Sequence, residues 1–74
     1  MRAREVIKRI RRLGGVQVRT RGAHIYYEAI GNGSGGTPIT CLTSVSQHPG
    51  DIPTGTLHKI EKDLEPVFGK GWLT

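Results

Sequence analysis

Ala3, Val6, Ile7, Ile10 and Leu13 recur at helical spacing, and at about 100° per residue they fall on one stripe. Gly14-Gly15 follows at once and closes the helix, because glycine takes the left-handed conformation of a final turn without a Cβ clash. The helical period does not return until Thr54, and the residues between fall into three runs of strand character. The chain is thereby confined to one order of elements: helix, three strands, helix.

The first run, Val16-Gln17-Val18-Arg19-Thr20, alternates apolar and polar, as a half-buried strand should. Arg21-Gly22 turns the chain into a second strand, from about Ala23 to Ile30, to form a hairpin. Strand geometry sends successive side chains to opposite faces, so His24, Tyr26 and Glu28 share one face and Ile25, Tyr27 and Ala29 the other. Gly31 to Thr37 reads as a flexible loop, and it is a poor phosphate cradle, since no Lys-Ser/Thr follows and no helix starts there.

Pro38 suits a strand start, and Ile39 to Ser46 reads as a third antiparallel strand with Cys41 as a small, buried apolar residue beside Ile39 and Val45. The proline-punctuated loop Gln47 to Pro53 leads to the second helix. Thr54 is its expected N-cap, Leu57, Ile60 and Leu64 its apolar stripe, and Pro66 its stop. Phe68 and Trp72 either close over the core or meet a partner, and closure is the expectation, because a domain this small benefits from every buried aromatic.

The expected fold is α+β: an α-β-β-β-α chain in which two helices cover one face of a three-stranded antiparallel sheet and leave the other face open. Residues 1–74 read as one domain, with a core of about 2–65 and a tail of 66–74. A chain of this length buries only about 60% of its unfolded surface, so an elaborate catalytic cleft has no room. The open sheet face is where function is expected.

Charge narrows the partner. Lys and Arg number 11 against 6 Asp and Glu, for a formal net charge of +5, which favours nucleic acid or an acidic protein. The outer face of the first helix carries Arg4, Lys8, Arg11 and Arg12, while Glu5 and Arg9 are spaced to pair four residues apart. Such a run is either a solvated helix face or a binding surface. Cys41 stands alone, so no internal disulfide forms, and no Cys/His cluster offers a zinc site. No metal and no cofactor is implied. Charges interrupt Val6-Ile7 and Ile10, and nothing is long and apolar enough to span a membrane, so a cytoplasmic protein is expected.

His24 is the residue that points to chemistry. It follows a turn and lies among arginines, and an imidazole, which titrates near neutrality, in a positive setting suits reaction at a phosphodiester. The plain alternative is a surface or half-buried histidine with no role.

The helix with Val6-Ile7, then Leu13-Gly14-Gly15 and Val18-Arg19, then Gly22-Ala23-His24-Ile25-Tyr26-Tyr27, and the segment His48-Pro49-Gly50-Asp51-Ile52-Pro53-Thr54-Gly55-Thr56-Leu57-His58-Lys59-Ile60 together resemble the HicA-type (YcfA-like) toxin family. The similarity runs from about residue 2 to residue 65. It implies a double-stranded-RNA-binding-domain-like fold, metal-independent cleavage of messenger RNA, and a partner antitoxin of the HicB type. It further implies that His24, at the family's strand-start histidine, is catalytic. Gly22 matches the preceding turn, and Gly55, Thr56 and Leu57 the entry to the last helix. Ala23 departs from the pattern, standing where the family usually has serine, and so removes a hydroxyl able to orient the substrate or the histidine.

The mechanism expected on this basis has His24 as general base toward a ribose 2′-hydroxyl. Arg19 or Arg21 would stabilise the charge that develops on phosphorus. Tyr26 is a candidate to stack on a base, Lys8 and Arg12 are candidate RNA contacts, and His48 is a candidate second acid–base group. His58 reads as a solvated helix residue. Two other classes compete: a non-catalytic RNA-binding module that grips phosphates by shape and charge, and an interaction domain whose basic surface complements an acidic protein.

Overall fold

The computed structural model describes residues 1–32, 34–47 and 49–74, with Ser34 described by its backbone alone. Helix α1 (Ala3–Arg12), strands β1 (Val16–Arg21), β2 (His24–Asn32) and β3 (Pro38–Ser46), and helix α2 (Thr54–Phe68) follow in that order. Both ends of α1 are closed locally. At its start the Arg2 amide donates to Glu5 Oε1 at 2.9 Å. At its end Gly14 takes φ 101°, and the amides of Gly14 and Gly15 donate to Arg11 O at 3.0 Å and Ile10 O at 2.8 Å. That pair of bonds satisfies carbonyls the helix leaves open. Leu13 is outside the helix and 43% exposed, so the apolar stripe ends at Ile10. Glu5 and Arg9 do not pair: Glu5 caps the helix, and Arg9 Nη1 donates to Trp72 O at 3.1 Å.

The strands form one antiparallel sheet in the order β1-β2-β3. Ile25, Tyr27 and Ala29 of β2 and Val45 of β3 point to one face, where they meet Val6 and Ile10 of α1 and Ile60 and Leu64 of α2. This is the α+β architecture expected, with the opposite sheet face open. Cys41 is half-buried against the core. The expectation for β1 fails. All six of its residues are exposed, because the helices pack over β2 and β3 and leave β1 beyond their edge.

Three further expectations change. The glycine-rich loop is shorter than its composition suggests: Gly31 and Asn32 extend β2 opposite Ile39 and Pro38, and Ser34–Gly36 form a 3-10 turn. Pro53 rather than Thr54 occupies the N-cap of α2, and no side chain caps it. Pro66 does not stop α2, which runs on to Phe68. So close to the C-terminal end, the missing proline amide leaves only the Lys62 carbonyl without its partner. Val67 and Phe68 pack against the core and hold the last turn. The tail closes as expected: Trp72 is 7% exposed, its Nε1 donates to Glu61 O at 2.7 Å, and its ring meets Phe68 edge-on at 5.2 Å.

Candidate nucleic-acid interface

The hairpin between β1 and β2 turns on two residues. Gly22 has φ 59°, Ala23 is not in the left-handed region, and Arg21 pairs directly with His24. A positive φ at the first central position alone is the type II′ pattern, whose twist matches the flanking strands. The Ala23 carbonyl accepts from the Gln47 amide at 2.8 Å, which ties the turn to the segment after β3. His24 is exposed on the open face, with Arg21 opposite on one side and Ser46 on the other. Sequence reasoning missed Ser46, because only the strand register reveals that neighbour. Its Oγ is buried and has no hydrogen-bond partner among the described residues.

A bulge decides what surrounds His24. Val16 faces Glu28 and Gln17 faces Tyr27, but the register then shifts, and Arg19 rather than Val18 faces Tyr26. Directly paired residues in a sheet share a face, so the extra residue reverses the alternation of everything after it. Arg19 and Arg21 are thereby turned to the face of Tyr26 and His24, whereas an unbroken register would place both on the opposite side. The Arg19 guanidinium carbon lies 4.7 Å from the centroid of the Tyr26 ring, in cation–π range.

The open face thus has two halves. Arg21, His24 and Ser46 form one row across the sheet and Arg19, Tyr26 and Ser44 the next. Farther from the turn, Val16 and Leu42 flank Glu28, and Ile30 follows. These three apolar side chains are 62%, 47% and 65% exposed. Lys8 and Arg12 are not part of this surface. They are exposed on α1, which packs on the other side of the sheet, and line a shallow hollow with Met1, Glu5 and Arg9. His58 is exposed on α2 as expected, and His48 lies outside the described residues. Among the described residues no three His, Cys, Asp or Glu converge as a metal site, and no helix is long and apolar enough to cross a membrane.

Helix, bulged hairpin, third strand and the body of the second helix all fall within residues 3–65, and over that span the chain matches the family described as the HicA toxin of bacterial toxin-antitoxin systems. The chain belongs to the HicA toxin family. No curated protein and no solved structure matches it. A toxin of this family implies an antitoxin partner. The matched span includes His24, Arg19, Arg21 and Tyr26, and it ends just before Pro66 and the segment that carries Trp72.

Proposed function

We propose that this HicA-family toxin is a metal-independent endoribonuclease that cuts messenger RNA, with His24 as general base. The observation that carries the reading is an exposed imidazole at the end of a two-residue turn, with two guanidinium groups brought to its face by the Val18 bulge. His24 removes the proton of a ribose 2′-hydroxyl. That oxygen attacks the adjacent phosphorus, the bond from phosphorus to the 5′-oxygen breaks, and the departing oxygen takes a proton from water. The products are a 2′,3′-cyclic phosphate and a 5′-hydroxyl. A positioned base of this kind contributes about 10²–10⁴-fold. Arg21, and Arg19 behind it, meet the negative charge that grows on the phosphoryl oxygens. The nucleophile is the substrate's own hydroxyl, so the reaction requires no metal-bound water.

Tyr26 with Arg19 above it forms a stacking platform for a base next to the scissile bond. Lys8 and Arg12 contribute diffuse attraction from the far side of the domain rather than contacts at the reacting phosphate. A HicB-type antitoxin in the cytoplasm is the partner. It covers the His24 face, offering carboxylates to Arg19 and Arg21 and apolar side chains to Val16, Ile30 and Leu42, since exposed apolar patches on a small domain mark interaction surfaces.

Ala23 favours the second reading, a non-catalytic RNA-binding module with the same double-stranded-RNA-binding-domain-like architecture, because it leaves the turn beside His24 without a hydroxyl. A DNA oligonucleotide containing a single ribonucleotide separates the two. The nuclease cuts it only on the 3′ side of that ribose and leaves the all-DNA strand intact. A protein that binds RNA and cuts neither is the binding module.

A further inference from the structure

An open cleft of about 330 Å³ lies between the start of α1 and the segment that follows β3. Arg2 and Arg4 line it from the helix side, with Ile7 behind them, and Gln47, Pro49 and Gly50 line it from the other. Arg2 has not yet entered the helix, with φ −89° and ψ 159°, so it and Arg4 can flank one space although they are two residues apart. The cleft wall is fixed to the helix start by a backbone β-bridge between Arg2 and Asp51 and by the Ile52 amide, which donates to Met1 O at 2.8 Å. Among the described residues no carboxylate lines it. Asp51 lines a separate hollow with Ser46, Ile52, Pro53 and Thr56. Among the described residues neither guanidinium makes a hydrogen bond or an ion pair.

Two unpaired cations around an empty space of the size that small ligands occupy are a site for an anion. The position of the cleft says which one. Gln47, on its wall, donates its amide to the Ala23 carbonyl, one residue before His24. A strand whose phosphodiester sits at His24 therefore reaches the cleft by turning around the end of the sheet at the hairpin. We propose that Arg2 and Arg4 hold an RNA phosphate neighbouring the one at His24, so that the substrate is gripped on both sides of the turn. This rests on the nuclease reading for the place of cutting, but the cleft itself needs only RNA. It also gives a use to the segment Pro49-Gly50, which the chemistry at His24 leaves unused.

The test uses a 2′-O-methyl RNA oligonucleotide, which lacks the attacking hydroxyl, with binding followed by fluorescence anisotropy across a range of salt. The variant is the double substitution Arg2→Gln/Arg4→Gln, and the comparison is Lys62→Gln/Lys70→Gln, which removes the same charge from exposed positions elsewhere. Circular dichroism confirms that each is folded. Each neutralised phosphate contributes about 0.7 to the slope of log K against log salt for a single strand. The arginine variant is therefore expected to bind on the order of tenfold more weakly with a slope shallower by about 0.7, while the lysine variant keeps the wild-type slope. With cleavable RNA the arginine variant raises KM and leaves kcat within about twofold.

An arginine variant that behaves like the lysine variant overturns the cleft, even where the wild type cuts RNA. Loss of affinity for the antitoxin with RNA binding unchanged also overturns it, and assigns the cleft to acidic side chains of the partner. An arginine-dependent slope in a protein that cuts nothing sustains the cleft and removes the nuclease reading.

Discussion

Arg19 lies over Tyr26, its guanidinium carbon 4.7 Å from the ring centroid, only because Val18 is an extra residue in β1. On the proposed nuclease reading, the bulge is what brings both charges to the histidine. It takes a strand whose alternation would send Arg19 and Arg21 away from His24 and reverses it within one residue. Deleting Val18 removes the bulge but leaves Gln17 followed directly by Arg19, so Arg19 still faces Tyr26 and Arg21 still faces His24, and the folded deletion variant is expected to keep cutting RNA. The double substitution Arg19→Ala/Arg21→Ala, which keeps the backbone register and removes both charges, is expected to lower RNA cleavage by about 10²-fold, the lower end of the loss seen when a transition-state donor is removed. Cleavage rates close to wild type in the folded double variant would mean that the arginines turned toward His24 have no catalytic consequence.

Arg21 faces His24 directly, whereas Arg19 lies one row farther along the sheet. Arg21→Ala alone is expected to lower kcat on the order of tenfold, and Arg21→Lys to recover part of it, since a point charge replaces a forked donor. Single-turnover cleavage rates of the two variants check this. Equal losses for alanine and lysine would point to packing rather than charge.

Thr43 is 3% exposed, and its hydroxyl donates to Asp63 Oδ2 at 2.9 Å, while Lys59 reaches the same oxygen at 3.0 Å from a largely exposed position. The two contacts to one carboxylate differ in worth. Asp63→Ala leaves a buried hydroxyl without its acceptor and is expected to destabilise by about 1–3 kcal/mol. Lys59→Ala removes an exposed pair four residues apart, and about 0.3–0.5 kcal/mol is expected. Urea denaturation of both variants measures the difference.

Trp72 joins both helices, through its Nε1 to Glu61 O and its carbonyl to Arg9 Nη1. Trp72→Ala is expected to cost about 3–5 kcal/mol. A domain of this size holds only about 4–11 kcal/mol in total, so the midpoint in urea should drop sharply. Trp72→Phe keeps most of the buried area but loses the indole donor, and about 0.5–1.5 kcal/mol is expected for the lost hydrogen bond, since the Glu61 carbonyl lies within α2. A midpoint unchanged in Trp72→Ala would show that the tail is not part of the core.

The element order was legible in the sequence because Ala3, Val6, Ile7 and Ile10 keep a helical period and Gly14-Gly15 has one use after it. The two faces of β2 were legible for the same reason, since alternation from His24 to Ala29 is unbroken. His24 could be singled out from its place after a turn and among arginines. Its setting could not. A bulge leaves the composition of Val16 to Arg21 unchanged, so no pattern of residue types announces that Val16 turns outward and Arg19 and Arg21 toward His24. The cleft lined by Arg2 and Arg4 was equally hidden, because it is made by a backbone bridge to Asp51, far away in the chain. Pro66 misled because proline's cost depends on how much helix follows it, and here only the last turn does.

The most direct measurement is cleavage of single-stranded RNA by the wild type and by His24→Ala, both in excess EDTA and both shown to be folded by circular dichroism. The wild type is expected to leave 2′,3′-cyclic phosphate ends, and the folded His24→Ala protein to lose about 10²–10⁴-fold in rate while still binding RNA. Cleavage by His24→Ala at the wild-type rate, or cleavage that stops in EDTA, would contradict a metal-independent reaction at His24.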